Sequence, residues 1–300
     1  MGFDVMQEFN RPAVQVNMFK KANPCEATLI ENRVLCNEGP EGEVHHLVFE
    51  TPGLEFLDGQ SIGVLPPGIN EKGNPHAVRL YSIASLGNDS SATASPAAEK
   101  LALCVKRVLY NDPETGEEKK GVASNFVCDL KAGDTVSMTG PAGRKFLLPV
   151  EEEVHRPYVF FATGTGIAPF RGFLRRLFHV IPDFKSPVYL LFGVRTSKEL
   201  LYDEELSQFD SHENFHYLKA LSREQKNSEG GRKYVFHLIE EHEQTLWPVL
   251  SNPETLIYIC GLKGMEAGIV HAVRSIVEKH GGNVEEVLAD IQARTETEVY

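Results

Sequence analysis

Between residues 158 and 260, four short segments read as fully buried strands: 158–162, 188–192 and 256–260 are uninterrupted apolar runs, and 215–220 is apolar apart from His216 and Lys219. They alternate with amphipathic stretches at 168–180, 204–211, 235–248 and 264–279. A strand that is apolar on both faces must be covered on both faces, and helices lying between such strands supply the cover. The pattern predicts βαβ units around a parallel sheet. The preceding residues read differently. Segments 43–50, 78–84, 101–109 and 134–139 are short and β-favouring, and Gly, Pro, Asn and Asp punctuate them at 37–40, 66–68 and 111–113. Short strands at that spacing suggest a small antiparallel barrel or sandwich. Residues 87–99, rich in Ser, Ala and Asn, read as a flexible surface loop. The chain thus divides into an antiparallel β-barrel domain over 1–152 and a Rossmann-like parallel-sheet α/β domain over 153–300. A polar stretch at 151–157 joins them, its acidic run Glu151 to Glu153 reading as a solvated linker.

Composition narrows the function. Three hundred residues suffice for two domains with separate cores. A net charge of −12 gives no basic footprint for nucleic acid, and it repels an acidic protein partner at long range unless the basic residues gather on one face. No run approaches the ~20 apolar residues that span a bilayer. Residues 1–10 lack the basic-then-apolar pattern of a secretory signal. The five cysteines, Cys25, Cys36, Cys104, Cys128 and Cys260, are odd in number and without metal-ligand spacing, which predicts a reduced, cytoplasmic protein with no metal site. His45 and His46, in a strand pattern, read as structural, as do Cys25, Cys36 and Cys128.

Four segments can carry chemistry. In 79–85, strand alternation puts Arg79, Tyr81 and Ile83 on one face and Leu80, Ser82 and Ala84 on the other. An arginine beside a tyrosine can grip a phosphate while the ring lies against a planar cofactor; an ordinary strand with an exposed arginine fits equally. Cys104 to Arg107, with Tyr110, is followed by Gly121 to Phe126, where Ser124 suits an N-cap or an early helical position. The amides of 122–124 would then open a helix and bind an anion, or simply be capped. Residues 162–169, with Gly164, Gly166 and Pro169, follow a buried strand and precede an amphipathic helix, the context of a pyrophosphate-binding turn. Ser222 and Arg223, with Arg232 and Tyr234 beyond a Gly230, Gly231 turn, could converge on a dianion or form a solvated loop.

Taken in order, these segments resemble the plant-type ferredoxin–NADP reductase family. The resemblance runs from about residue 16 to 300. It rests on 55–63, 79–82, 104–106, 121–124, 164–169, Ser222 to Gln225, 260–265 and the terminal Glu298, Val299 and Tyr300. It implies an FAD-binding barrel followed by an NADP-binding α/β domain, and electron exchange between NADP(H) and a one-electron carrier, ferredoxin or flavodoxin. By the same resemblance, Arg79, Leu80, Tyr81, Ser82, Cys104, Val105, Lys106, Tyr110, Val122, Ala123, Ser124, Thr165 and Tyr300 would hold FAD. Arg79 and the 122–124 amides would take its pyrophosphate, Tyr110 its adenine, and Tyr81 and Tyr300 the two faces of its ring system. NADP would meet Lys106, Thr163, Gly164, Thr165, Pro169, Val194, Arg195, Ser222, Arg223, Arg232, Tyr234, Gly261, Leu262 and Glu298. Ser82, Cys260, Glu298 and Tyr300 would surround the reacting atoms. Cys260 also fits a plain buried position, and Glu298 a solvated tail.

The sequence departs from the family pattern at four places. Ala77 stands where a carrier-docking lysine is usual, Arg195 where proline is usual, Phe236 where glutamine is expected, and Ala123 where cysteine is common. No iron–sulfur cysteine cluster is present, so the next carrier must be another chain. A reductase subunit of a multi-component oxygenase and a catalytically silent redox-sensing module remain alternatives. The chain is expected to be a cytoplasmic monomer.

Overall fold

The computed structural model describes residues 9–37, 42–87 and 100–300. The 88–99 part of the expected loop and turn residues 38–40 lie outside the described residues. Two compact units are present. Of the described residues, one comprises those within 13–147 with 168–180, and the other comprises 9–12 with 148–167 and 181–300.

The first unit is a six-stranded antiparallel sheet. Its strands are β1 (Cys25–Cys36), β2 (Val44–Glu50), β3 (Ser61–Val64), β4 (Arg79–Ser82), β5 (Leu101–Lys106) and β8 (Thr135–Ala142), in the order β4-β3-β8-β1-β2-β5. The sheet closes where Ile83 bridges Leu103 and the Ala84 N–H donates to the Ala102 carbonyl at 2.8 Å. Ala27, Leu29, Leu47, Phe49, Ile62 and Met138 fill the interior. The β-favouring segment expected over 101–109 is interrupted: β5 ends at Lys106, and Leu109 belongs to a separate two-stranded hairpin, β6 (Leu109–Asn111) with β7 (Glu118–Lys120). Helix α1 (Val122–Cys128) follows.

Closure leaves a seam. Past the Ile83–Leu103 bridge, β4 and β5 have no ladder pairing among the described residues, and β4 pairs only with β3. The segment just after β4 is held firmly instead. Ser85 Oγ accepts the Ala102 N–H at 3.0 Å, and the Asp58 carboxylate accepts the Gly87 N–H at 2.6 Å. From α2 (Ala168–Arg175) and the π-helical turn after it, Arg171 donates to the Ala84 carbonyl at 2.7 Å and Arg176 pairs with Asp58 at 2.7 Å. Gly172 is required there, since a Cβ would meet the Ser85 carbonyl oxygen at 2.9 Å. Buried charges persist only when paired and hydrogen-bonded, and these are. One end of the β4 strand is therefore fixed while its Arg79–Ser82 stretch stays open on one side.

The second unit is a five-stranded parallel sheet of β9 (Tyr158–Thr163), β10 (Val188–Val194), β11 (Phe215–Leu221), β12 (Leu256–Gly261) and β13 (Thr295–Val299), in the order β11-β10-β9-β12-β13. The four segments form β9 to β12 as expected, but only the runs in β9, β10 and β12 are buried throughout. Among the described residues β11 lies at the sheet edge, where only Phe215 and Ala220 are buried, so His216 and Lys219 keep access to solvent. Helices α3 (Asp203–Gln208), α4 (His237–Glu241), α5 (Glu243–Leu250), α6 (Met265–Lys279) and α7 (Val284–Ala293) complete it. The single helix expected over 235–248 is two. The chain breaks at His242, whose carbonyl accepts both the Thr245 and Leu246 N–H groups. The kink lets Leu238 and Ile239 of α4 and Leu246 and Leu250 of α5 reach one core. The acidic 151–153 run is a 3₁₀ turn. Its last member is not merely solvated, because Glu153 accepts two hydrogen bonds from Asn10. His45 is structural, as expected, with its ring between Asn32 and Glu43.

Candidate functional site

In the parallel sheet, β9 leads to β10 on one side while β12 lies on the other. Such a reversal opens a crevice at the carboxyl ends of the strands, the usual ligand position in open α/β sheets. The residues at that place are the glycine-rich turn Gly164–Ile167 and the end of β12. Gly166 admits no side chain, since a Cβ would sit 2.1 Å from the Cys260 carbonyl oxygen. A Cβ on Gly261, at φ +139°, would meet Thr163 Oγ1 at 2.2 Å. That hydroxyl instead accepts the Leu262 N–H at 2.9 Å. Gly164, at φ +53°, has open space around its Cβ position. Two glycines thus serve close packing, and the third leaves a backbone face clear for a ligand. Pro169 is the second residue of α2, where proline needs no N–H partner.

Ser222 and Arg223 lie just past β11, held by backbone bonds to the neighbouring strand. The Ser222 N–H donates to Val194 at 3.0 Å and the Arg223 N–H to Arg195 at 2.8 Å. Their sequence neighbours are latches. Glu224 accepts the N–H and Oγ of Ser197 at 3.0 and 3.1 Å, and Gln225 accepts the Leu221 N–H at 2.9 Å. A bridge between Lys226 and Arg232 folds the loop back, so Arg232 and Tyr234 return beside the turn that carries Arg223. Arg223, Arg232 and Tyr234 are all exposed. The departure at Phe236 has a structural reading. Its ring lies 5.7 Å from that of Tyr234 at 24° and occupies the space that the missing side chain of Gly268 leaves on α6. Phe236 therefore backs the Tyr234 ring.

On β12 and β13, Cys260 and Glu298 are direct ladder neighbours. Cys260 is fully buried and Glu298 half-buried. Tyr300 is 56% exposed. Its N–H donates to the Gly261 carbonyl at 3.0 Å, and its hydroxyl lies 2.6 Å from Thr165 Oγ1. Thr165, Cys260, Gly261, Glu298 and Tyr300 are thus brought together in one unit.

In the barrel unit, Arg79 to Ser82 border the seam on one strand and Cys104 to Lys106 continue from the bridge on the other. Burial pushes the Tyr81 phenol well above its ordinary pKa, keeping it neutral. Ser124 does not cap α1. Gly121 is the N-cap, and Ser124 Oγ accepts the Val108 N–H at 3.1 Å and donates to the Gly121 carbonyl at 3.3 Å. A serine at the third helical position has its hydroxyl aimed back at the preceding loop, and here it ties that loop to the helix start. Asn125 reinforces the tie through Val108, Gly121 and Arg107.

Exposure decides whether a planar cofactor suits this surface. Among the described residues, Leu80, Tyr110 and Val122 in the barrel unit, and Tyr234, Leu262 and Tyr300 in the α/β unit, are exposed large apolar side chains, along with Val34, Ile69, Val108, Leu109 and Val270. Each of the first six stands at a position the sequence assigned to a cofactor. Exposed apolar side chains at such positions suit a binding surface, and aromatic rings accept a flat ligand without further ordering. The residues fit a flavin in one unit and a nicotinamide nucleotide in the other.

Comparison with known proteins agrees. Residues 160–271 match the oxidoreductase NAD-binding domain model. The chain is 44% identical over 263 residues to ferredoxin–NADP reductase of Spirulina sp., covering 85% of this chain and 87% of that one. It is 43% identical over 298 residues to the chloroplastic root isozyme 1 of Arabidopsis thaliana, covering 95% and 77%. The chain belongs to the ferredoxin–NADP reductase family. It is accordingly an FAD- and NADP(H)-dependent oxidoreductase, and neither the oxygenase-subunit reading nor the silent-module reading is favoured. It spans 65% of the length of the Synechocystis reductase, to which it is 41% identical. Among solved structures, ferredoxin–NADP+ reductase from Plasmodium falciparum with 2'P-AMP is similar at a TM-score of 0.72 and 25% identity, covering 95% of this chain and 99% of that one. Among the described residues, no helix is long and apolar enough to cross a membrane.

Proposed function

We propose that this reductase moves electrons between NADP(H) and ferredoxin, with flavodoxin as a second carrier, acting as a monomer in the cytoplasm. The observation that carries the reading is the open seam of the barrel, bordered by the anchored strand of Arg79 to Ser82, with Leu80 on that strand and Tyr110 and Val122 in the same unit exposed at the positions suited to a flavin. Bound FAD supplies the conversion between hydride transfer and single-electron release. The chain's residues position it. Arg79 and the first amides of α1 take the pyrophosphate, Tyr110 the adenine, and Tyr81 and Tyr300 the ring faces. The Ser82 hydroxyl stands by the reacting edge. Thr163 to Thr165 cradle the nucleotide phosphates, Lys106 reaches them, and Ser222, Arg223, Arg232 and Tyr234 hold the 2'-phosphate. Cys260 and Glu298 flank the nicotinamide and exclude water from its reacting carbon, which alignment requires. Five free, buried cysteines agree with a reducing compartment.

Carrier docking does not need a lysine at Ala77. A cavity of 610 Å³ in the barrel unit is lined by Lys20, Lys21 and Arg144 around Phe19, Val16 and Val78. An apolar floor with a cationic rim suits an acidic carrier despite the net charge of −12. The test pairs Lys20→Glu and Arg144→Glu with the parent protein. Each reversal is expected to raise the carrier KM about 10-fold or more at low ionic strength and to flatten its salt dependence, leaving NADPH-to-ferricyanide turnover unchanged. An equal fall in both activities, or no change in carrier KM, would place docking elsewhere.

A further inference from the structure

The stretch before the first strand makes contacts that neither cofactor explains. Phe9 is buried, and the Arg11 guanidinium lies 4.2 Å from its ring centroid. Asn10 donates its backbone N–H and Nδ2 to the Glu153 carboxylate at 3.0 and 2.6 Å and accepts the Val150 N–H at 2.9 Å. Arg11 pairs with Glu296 in the middle of β13, both side chains mostly covered. Asn10 and Arg11 are therefore fastened to the α/β unit through two carboxylates and the backbone, next to the buried ring of Phe9.

The place they reach is the least constrained strand of that sheet. Among the described residues β13 lies at the edge, paired only with β12, and an edge strand frays more readily than a central one. Its start is held by buried Arg294, which donates to the Thr255 carbonyl at 2.9 Å and to Asp290 at 2.9 Å. Its end carries the reacting-site residues, tied by the Tyr300 N–H to Gly261 and by the Tyr300 hydroxyl to Thr165. Side chains alternate along a strand, so Glu296 and Glu298 share a face. A cation on Glu296 fixes the strand two residues before Glu298 and four before Tyr300.

We infer that residues 9–12 form a strap that sets the position of β13, and that Arg11 is a positioning residue for Glu298 and Tyr300. The inference rests on the reading of Tyr300 as the ring that nicotinamide must displace. With the strap in place, only the last residues of the strand can move. Without it, the freedom extends back toward Thr295 and Tyr300 leaves its place more easily.

The test uses the flavin-loaded protein as Arg11→Ala, Glu296→Gln, the double variant and Arg11→Lys, with Tyr300→Ser as control. Amide exchange is read at 296–300 and, for reference, along α6. The ratio of KM for NADH to KM for NADPH is read alongside. Arg11→Ala and Glu296→Gln are each expected to speed exchange at 296–300 and to lower the KM ratio by about 2- to 5-fold, the scale of a partly covered ion pair. The double variant should do no more than either single one, α6 should not change, and Arg11→Lys, which keeps the cation, should retain most of the parent behaviour. Exchange rising equally along α6 would reduce the strap to general stability and overturn the positioning role. Unchanged exchange and KM ratio in Arg11→Ala, with Tyr300→Ser still shifting the ratio, would overturn the strap and leave the Tyr300 reading intact. A silent Tyr300→Ser would bring down that reading and the inference with it.

Discussion

Replacing Tyr300 with Ser is expected to tighten nicotinamide binding and to erode the preference for NADPH over NADH by roughly 5- to 150-fold. The ring is more than half exposed, and its hydroxyl is in a neutral hydrogen bond with Thr165. A neutral hydrogen bond contributes about 0.5–1.5 kcal/mol net, and an aromatic stacking contact about as much again. Displacing the ring therefore costs a few kcal/mol at most. A ligand anchored by its 2'-phosphate can supply that energy from a remote contact, whereas one without the phosphate cannot. Removing the ring removes the requirement, so NADH gains most. Steady-state KM and kcat with both nucleotides measure the effect, and unchanged selectivity would refute a gating role for Tyr300.

Arg223→Gln is the second large change. A charge-assisted hydrogen bond contributes about 1.5–3 kcal/mol, so losing one should weaken 2'-phospho-AMP binding roughly 10- to 150-fold while leaving AMP nearly unaffected. The backbone of Arg223 is fixed to Arg195, and the loop is latched through Glu224 and Gln225, so the variant should keep its fold. Binding of the two nucleotides measured by calorimetry reports the difference directly. Equal weakening of both would mean that Arg223 supports the loop and does not contact the phosphate.

The strands most plain in the sequence are those buried on both faces. β9, β10 and β12 are continuous apolar runs set between amphipathic stretches, whereas β11, with His216 and Lys219 at the sheet edge, shows the pattern less clearly. β13 was not legible, because Thr295–Val299 alternates polar residues at a sheet edge and gains its identity only from the ladder with β12. β1, the longest strand, was missed for a related reason: past Leu29 its side chains are mostly partly covered or exposed. The glycine-rich turn was legible because strand, turn and helix follow in order. The distribution of labour within Ser222 to Gln225 was not, since a glutamate that latches a loop and an arginine that meets a ligand look alike in sequence. The Arg171, Arg176 and Asp58 brace and the contacts of Arg11 join residues more than 80 positions apart, and no local pattern encodes such pairs. Phe236 looked like a departure and is explained only by Gly268, whose absent side chain makes room for it.

The most direct test of the account is the colour of the purified protein as NADPH is added without oxygen. A barrel whose seam holds FAD, coupled to a 2'-phosphate-recognising nucleotide site, predicts a yellow protein that NADPH bleaches within seconds and NADH bleaches much more slowly. A colourless protein that takes up no flavin, or a yellow one that NADPH leaves unchanged, would contradict it.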